Sequence, residues 1–208
     1  MKRNRVAIPI VAVALAAGVA LVARPVLSAK EEARPELAIG AKIIDFSLKA
    51  TDGKTYSPET YKDKKVLVVM FTCNHCPYAI AYEDRLIALQ KAYADKGVQI
   101  VFINPNRSDY GGGQESMAQM KKRAEEKAFP FPYLKDETQE IARAYGARVT
   151  PHVYVFGEDR TLIYRGTVDD NWRKPDQVTD QYLRDAIEAG LKGFEPITKA
   201  IGCSIKWK

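Results

Sequence analysis

Two cysteines separated by two residues, Cys73 and Cys76, are the residues of this chain best suited to covalent chemistry. The β-forming run 66–71 precedes them, and a helical pattern begins at about Cys76. A sulfur at the start of a helix lies over free backbone N–H groups and the positive end of the helix dipole, which stabilise a thiolate. The second sulfur lies one turn further in, where it can form a strained and easily reduced disulfide. The spacing predicts a thiol–disulfide exchange centre, with Cys73 as the exposed nucleophile and Cys76 as the resolving thiol.

His75 lies between the two cysteines, immediately before Cys76. A polar and potentially cationic group favours the thiolate over the disulfide, so His75 is expected to lower the pKa of Cys73 and to make the pair a stronger oxidant. The alternative is an exposed turn residue without this effect. A structural zinc site usually needs a second ligand pair, and the only other candidates are His75, His152 and Cys203. We therefore predict no metal and no other cofactor.

The third cysteine, Cys203, stands near the carboxyl end of the chain. Its neighbours Ile201, Ile205 and Trp207 alternate with it on one side, a pattern expected of a segment laid against the domain. Two roles stay open for Cys203. It is either a packed small hydrophobe, or a third thiol that folds back toward Cys73 or Cys76 and could attack the Cys73 sulfur of a mixed disulfide.

Length and composition are those of one soluble globular domain. The chain has 208 residues, of which 46% are hydrophobic and 28% charged. Residues 1–28 contain four basic residues and no acidic one, so they carry +4 of the net charge of +6. The remaining charges are interspersed, and nucleic acid is therefore not an expected partner.

The amino-terminal residues have the pattern of an export signal. Residues 1–5 are basic, residues 6–23 are apolar without interruption, and small residues follow at 26–29. The apolar run of 18 residues is just long enough to span a bilayer, so an uncleaved membrane anchor through residues 6–23 is equally open. In both cases we expect the domain to lie outside the cytoplasm, most simply in a bacterial periplasm.

The predicted organisation has three parts: an export signal or membrane anchor at 1–28, a linker at 29–39, and one domain with a C-terminal tail at 40–208. The domain is predicted to be α/β, with its elements in the order β-α-β-α-β-β-α. Strands are predicted at 40–48, 66–71, 98–103, 153–156 and 161–165, and helices at 76–94, 114–128, 138–145 and 178–191. Turn residues at 51–54 predict that the first strand folds back as a hairpin.

This order, with a CxxC after the first central strand, resembles the thioredoxin fold. The resemblance is closest to the redoxin branch, whose members add an amino-terminal β-hairpin and a helical insertion. Residues 40–48, the Asp52-Gly53-Lys54 turn and residues 61–65 are similar to the opening of that branch, and Val149-Thr150-Pro151 is similar to its cis-proline loop. The resemblance covers about residues 40–192 and implies a central mixed sheet flanked by helices.

The resemblance also implies roles for individual residues. The Thr150–Pro151 bond would be cis and face the disulfide, and the Thr150 backbone would pair with a substrate strand. Substrates would be protein thiols or disulfides, served by a redox partner protein. Thioredoxins also keep a buried carboxylate beneath the disulfide, but strand 66–71 has none. Proton handling is expected to fall to water, His75 or Glu83.

Two other functions stay open beside an exported thiol–disulfide oxidoreductase. The redoxin branch includes thiol peroxidases, but their P-x-x-x-T-x-x-C pattern fails for both Cys73 and Cys76. A Cu(I) carrier or assembly factor would use the same two cysteines and a histidine, because soft thiolates select Cu(I).

Overall fold

The structure of the protein is a computed structural model, which describes residues 35–192 and 202–207. The predicted signal or anchor at 1–28, and the linker at 29–39 for most of its length, lie outside the described residues. No helix among the described residues is long and apolar enough to cross a membrane.

The described elements alternate between strands and helices through most of the chain. The strands are β1 (Leu48–Lys49), β2 (Thr55–Tyr56), β3 (Val66–Phe71), β4 (Val98–Asn104), β5 (Tyr133–Lys135), β6 (Val149–Thr150), β7 (His152–Phe156), β8 (Leu162–Gly166) and β9 (Cys203–Ser204). The α-helices are α1 (Pro77–Tyr93), α2 (Tyr110–Gly113), α3 (Met117–Glu126), α4 (Glu140–Tyr145) and α5 (Tyr182–Lys192). Single 3₁₀ turns lie at Pro58–Tyr61, Ala94–Lys96 and Pro175–Gln177.

A mixed sheet of five strands forms the centre of the domain, in the order β5-β4-β3-β7-β8. Strand β3 pairs parallel with β4 and antiparallel with β7, and β7 pairs antiparallel with β8. All six residues of β3 are buried, as expected for a strand covered on both faces. The nearly continuous apolar runs of β3 and β4 therefore reflect their central place in the sheet.

The residues of β3 alternate between two buried clusters, one on each face of the sheet. The even-numbered residues pack with Leu86 of α1 and Ile187 of α5. The odd-numbered residues pack with Tyr145 of α4 and with Ile205 of the C-terminal tail. The tail thus belongs to the core on the α4 side, in agreement with its period-two pattern.

The first predicted strand, at 40–48, is wrong for most of its length. Only Leu48 and Lys49 are strand, and they pair with β2. The preceding segment lies along the chain that leads into β8, where Gly40 N donates to Leu162 O and Ile43 N donates to Arg160 O. These hydrogen bonds go to the far edge of the central sheet, so they cannot form a longer hairpin ladder with β2.

The helical insertion between β4 and β5 differs from the single helix predicted at 114–128. It consists of the turn α2, the helix α3 and the connection between them, which holds Glu115. Ser116 caps α3, because its side chain accepts a hydrogen bond from Gln119 N. The final helix α5 begins at Tyr182 rather than at 178. The insertion lies over the end of β4, beside the cysteine motif.

Candidate active site

The cysteine motif occupies the connection from β3 to α1. Cys76 is the N-cap of α1, and Pro77 fills the first helical position, where its missing N–H costs no hydrogen bond. Both thiols are free and buried, with Cys73 only 2% exposed and Cys76 fully covered. The predicted exposed nucleophile at Cys73 is therefore wrong for this arrangement of the chain.

Thr150 contacts both sulfurs of the motif. The register of β3 and β7 pairs Phe71 with His152, which brings the preceding residues Thr150 and Pro151 beside the cysteines. Thr150 Oγ1 lies 3.1 Å from Cys73 Sγ, and Cys76 Sγ donates to the Thr150 carbonyl at 3.0 Å. The Thr150–Pro151 peptide bond is cis. Because only a protonated thiol donates to a carbonyl, Thr150 opposes loss of the Cys76 proton.

Glu115 is a site residue that sequence reasoning missed. Its side chain is fully buried and accepts hydrogen bonds from Asn74 N at 3.0 Å and His75 N at 3.1 Å. It also accepts from Asn104 Nδ2 at 2.6 Å and lies 2.6 Å from His75 Nδ1. One carboxylate therefore orients the backbone and the imidazole of the motif.

Glu83 itself is engaged elsewhere. Its two oxygens accept hydrogen bonds from Arg123 at 2.9 and 2.7 Å, in a bidentate pair between α1 and α3. His152, the other histidine near the motif, is also structural: it is buried, and its Nδ1 lies 3.3 Å from the hydroxyl of Tyr154. Burial lowers the pKa of His152 to about 3, so its ring is neutral at physiological pH.

The contacts of His75 fix its tautomer. Because the Glu115 carboxylate accepts from every other group around it, His75 Nδ1 is the donor in their 2.6 Å contact. In the neutral ring this leaves Nε2 free to accept a proton. The ring packs against Tyr110 at 4.6 Å between centroids, and its side chain keeps 18% of its exposure. His75 is thus oriented, and it retains some contact with solvent.

Each of the two motif thiols shifts the pKa of the other. Cys76, burial and the negative charge of Glu115 raise the pKa of Cys73. Cys73 and Cys203 lower the pKa of Cys76 against the effect of burial. The Thr150 carbonyl, which accepts from the Cys76 thiol, acts in the opposite direction on Cys76. The lower pKa expected of Cys73 therefore stays a prediction.

Cys203 lies in the same cluster of sulfurs. Strand β9 pairs antiparallel with β6, so that Cys203 stands opposite Thr150. The Cys203 side chain packs against the motif cysteines. The structure thus brings the predicted third thiol to the site, where Cys76 is the thiol that acts on its pKa.

Three side chains near the motif form a set that suits a metal ion. The ligand atoms of Cys73, His75 and Glu115 lie within 4.8 Å of one another. Thiolate, imidazole and carboxylate are all ligands of Zn²⁺ in proteins. The carboxylate is already engaged by N–H donors, so metal binding would have to replace some of these hydrogen bonds.

Comparisons with known proteins identify the family and the fold. The Redoxin family matches residues 38–183. An uncharacterised conserved protein from Geobacillus kaustophilus is 41% identical, with a TM-score of 0.76 over 82% of this chain and 93% of that one. A hypothetical protein from Sinorhizobium meliloti is 32% identical, with a TM-score of 0.76 over 84% of this chain and 97% of that one. No curated protein matches the chain.

A more distant structure adds support for the fold alone. A thiol:disulfide interchange protein from Chlorobium tepidum is 20% identical, with a TM-score of 0.58 over 74% of this chain and 99% of that one. The predicted thioredoxin-like fold, a mixed central sheet flanked by helices, is confirmed. Together with the buried pair of thiols, these findings support a thiol-based redox activity. The chain belongs to the Redoxin family of thioredoxin-like proteins.

Proposed function

We propose that the protein is an exported thiol–disulfide oxidoreductase that exchanges disulfides with protein thiols through Cys73 and Cys76. The observation that carries this proposal is the pair of free, buried thiols that follows β3, both of which contact Thr150. The family and the interchange activity named for a structural relative support the same chemistry. Export is proposed from the pattern of residues 1–28.

The reaction in the reducing direction has two steps. The Cys73 thiolate attacks one sulfur of a substrate disulfide, which forms a mixed disulfide and releases the other substrate sulfur as a thiolate. Cys76 then attacks the Cys73 sulfur, forming the Cys73–Cys76 disulfide and releasing the second substrate thiol. Two electrons pass from the pair to the substrate, and a redox partner protein returns them. In the oxidising direction both steps run backwards.

Neighbouring groups would assist this exchange. The Thr150 hydroxyl, 3.1 Å from Cys73 Sγ, can donate a hydrogen bond to the thiolate. His75, whose Nδ1 proton is held by Glu115, offers Nε2 as a proton acceptor when a thiol is deprotonated. The backbone of Thr150, with Pro151 beside it, is the proposed docking edge for a substrate strand.

The test is reduction of insulin by dithiothreitol in the presence of the protein, together with a redox titration in glutathione buffers. We expect catalysis by the wild-type protein, loss of catalysis in Cys73→Ser and Cys76→Ser, and a two-electron transition of the pair. An absence of both catalysis and a Cys73–Cys76 disulfide would refute the proposal. The measured potential also gives the direction, with a thioredoxin-like value indicating a reductant. Cell fractionation with sequencing of the mature amino terminus tests export.

A metal-binding function is the second candidate, because Cys73, His75 and Glu115 converge. Equilibrium dialysis of the reduced protein against Zn²⁺, and separately against Cu(I), tests it. One tightly held equivalent that is lost in both His75→Ala and Glu115→Gln would favour a Zn²⁺ site. Retention of Cu(I) that depends on the two cysteines alone would favour the copper carrier. Thiol peroxidase activity is tested in the same preparation by consumption of hydrogen peroxide.

A further inference from the structure

The C-terminal strand β9 occupies the backbone edge that we propose as the substrate-docking edge. It pairs antiparallel with β6, with Cys203 opposite Thr150 and Ser204 opposite Val149. One residue further on, Ile205 N donates to Arg148 O at 3.0 Å. The chain's own tail is therefore bound in the way in which a substrate strand would bind by β-augmentation.

Gly202 permits this close approach. A Cβ atom at Gly202 would clash with the carbonyl of Thr150 and would lie 3.0 Å from the nitrogen of Pro151. Because these neighbours are backbone atoms, they cannot move aside as a flexible side chain can. A residue with a side chain at 202 would force the tail away from β6.

Side chains on both sides of the tail hold it in register. Ile205 is 3% exposed and belongs to the core cluster on the α4 side of the sheet. Lys206 N donates to Asn106 Oδ1 at 2.8 Å, and Gln139 Nε2 donates to Lys206 O at 2.7 Å. Trp207 packs under the guanidinium of Arg143 at 4.9 Å. The position of Cys203 is consequently fixed by contacts that do not involve its own sulfur.

The three sulfurs differ in accessibility and in partner. Cys73 and Cys76 are buried, whereas Cys203 is half-buried. Cys203 packs against the buried cluster of Cys73, Cys76 and Ala79, and Cys76 is the thiol of this cluster that acts on the pKa of Cys203. Burial, together with the neighbouring Cys76, raises the pKa of Cys203 to about 11, so the thiol keeps its proton until it exchanges. Cys203 is thus the thiol that solvent reaches most readily, and it touches the fully covered Cys76.

We infer that Cys203 is a third exchanging thiol whose partner is Cys76, delivered by the tail as a built-in substrate strand. In the oxidised protein the Cys203 sulfur attacks the Cys76 sulfur of the Cys73–Cys76 disulfide. The Cys76–Cys203 bond forms, the Cys73–Cys76 bond breaks, and Cys73 leaves as a thiolate that takes up the proton lost by Cys203. The exchange is an isomerisation of one disulfide and needs no oxidant. This inference rests on the proposed function, because the Cys73–Cys76 disulfide is its starting state.

The exchange has a consequence for substrates. A docked tail covers the Thr150 edge, so an external strand reaches that edge only when the tail leaves it. Formation of the Cys76–Cys203 disulfide would lock the tail in place and return Cys73 to its reduced form. The docked tail would therefore prevent other thiols from reaching Cys73 and Cys76 until the Cys76–Cys203 disulfide is reduced.

The test uses full-length Cys73→Ser, in which Cys76 and Cys203 are the only cysteines left. The reduced variant is oxidised with glutathione disulfide, free thiols are blocked with N-ethylmaleimide, and disulfides are mapped by mass spectrometry. We expect an intramolecular Cys76–Cys203 bridge that forms about tenfold faster than a Cys73–Cys203 bridge in Cys76→Ser. Equal rates in the two variants, or glutathione adducts without a bridge, would overturn the inference.

Two control variants separate tail docking from the mere presence of a thiol. In the Cys73→Ser background, Cys203→Ser with Ser204→Cys moves the thiol to the opposite face of β9, so the bridge should be lost. Gly202→Val in the same background should lower its rate about tenfold by displacing the tail. A bridge that forms at the same rate in either control would contradict the docked strand. Far-UV circular dichroism and the urea midpoint show whether each variant is folded.

The proposed function and the Cys203 inference are tested by different measurements, so either one can fail without the other. Wild-type protein that reduces insulin while Cys73→Ser forms no bridge would overturn the Cys203 inference alone. Wild-type protein with neither catalysis nor a Cys73–Cys76 disulfide would overturn the proposed function, and with it the isomerisation that starts from that disulfide.

Discussion

Replacing Glu115 by glutamine tests the electrostatics of the site most directly. Glu115 and Gln have nearly the same shape, so the substitution removes a buried negative charge and keeps most of the packing. The carboxylate lies within 4.8 Å of the Cys73 sulfur, and its charge is one of the causes that raise the pKa of that thiol. Removing the charge should make the Cys73 thiolate easier to form.

The distance sets the size of the effect. At an effective dielectric constant of about 20, two unit charges at that separation interact by about 3.5 kcal/mol. The N–H groups of Asn74, His75 and Asn104 that bind Glu115 already spread its charge. We expect about half of the interaction to be measurable, so the pKa of Cys73 should fall by about one.

The assay is the rate of alkylation of each cysteine by iodoacetamide as a function of pH. Mass spectrometry resolves the three thiols by their peptides, so the Cys73 profile is read separately from those of Cys76 and Cys203. The midpoint of the Cys73 profile should move to lower pH in Glu115→Gln. The matched control is Glu83→Gln, since Glu83 is also a buried carboxylate but binds Arg123. It should lower the urea midpoint and leave the Cys73 profile unchanged.

A Cys73 profile in folded Glu115→Gln that coincides with the wild-type profile would contradict this prediction. In that case the carboxylate would orient the motif without acting on the charge of Cys73. A shift of equal size in Glu83→Gln would also contradict the reasoning, because the effect would then come from loosened packing instead of from the charge next to the sulfur.

Three further predictions concern the exchange, the core and pH. Cys76→Ser should trap mixed disulfides with protein substrates, seen as bands that dithiothreitol removes on a non-reducing gel. Leu86→Ala should lower the free energy of unfolding by about 2–5 kcal/mol in urea, because Leu86 is fully buried between α1 and the sheet. The pKa of His152 falls from 6.5 to about 3 on folding, so its stabilising contribution is present above pH 6.5 and is lost as the pH falls towards 3. The free energy of unfolding should change by about 1.4 kcal/mol per pH unit in this range. A difference in free energy of unfolding between wild-type and His152→Gln protein that does not vary with pH would contradict the prediction.

The fold class and the reactive pair were predictable from local sequence patterns. The apolar runs of β3 and β4, the helical period after Cys76 and the Thr150–Pro151 step before β7 are local patterns, which follow from side-chain period and backbone preference. These patterns predicted the central sheet, the place of the cysteine motif at the end of a strand, and the resemblance to redoxins. The alternation in the tail also indicated correctly that Ile205 packs against the domain.

The surroundings of the sulfurs, in contrast, depend on contacts that local patterns do not contain. Glu115 binds His75, two residues after Cys73, from a connection 40 residues away in sequence, and no local period marks a single buried carboxylate. The burial of Cys73, the choice of Cys76 as the partner of Cys203, and the pairing of β9 with β6 depend on contacts between distant segments. Such contacts set desolvation and charge at each thiol. The reactive residues could therefore be predicted from the sequence, whereas the relative pKa values of the thiols depend on how the chain packs around them.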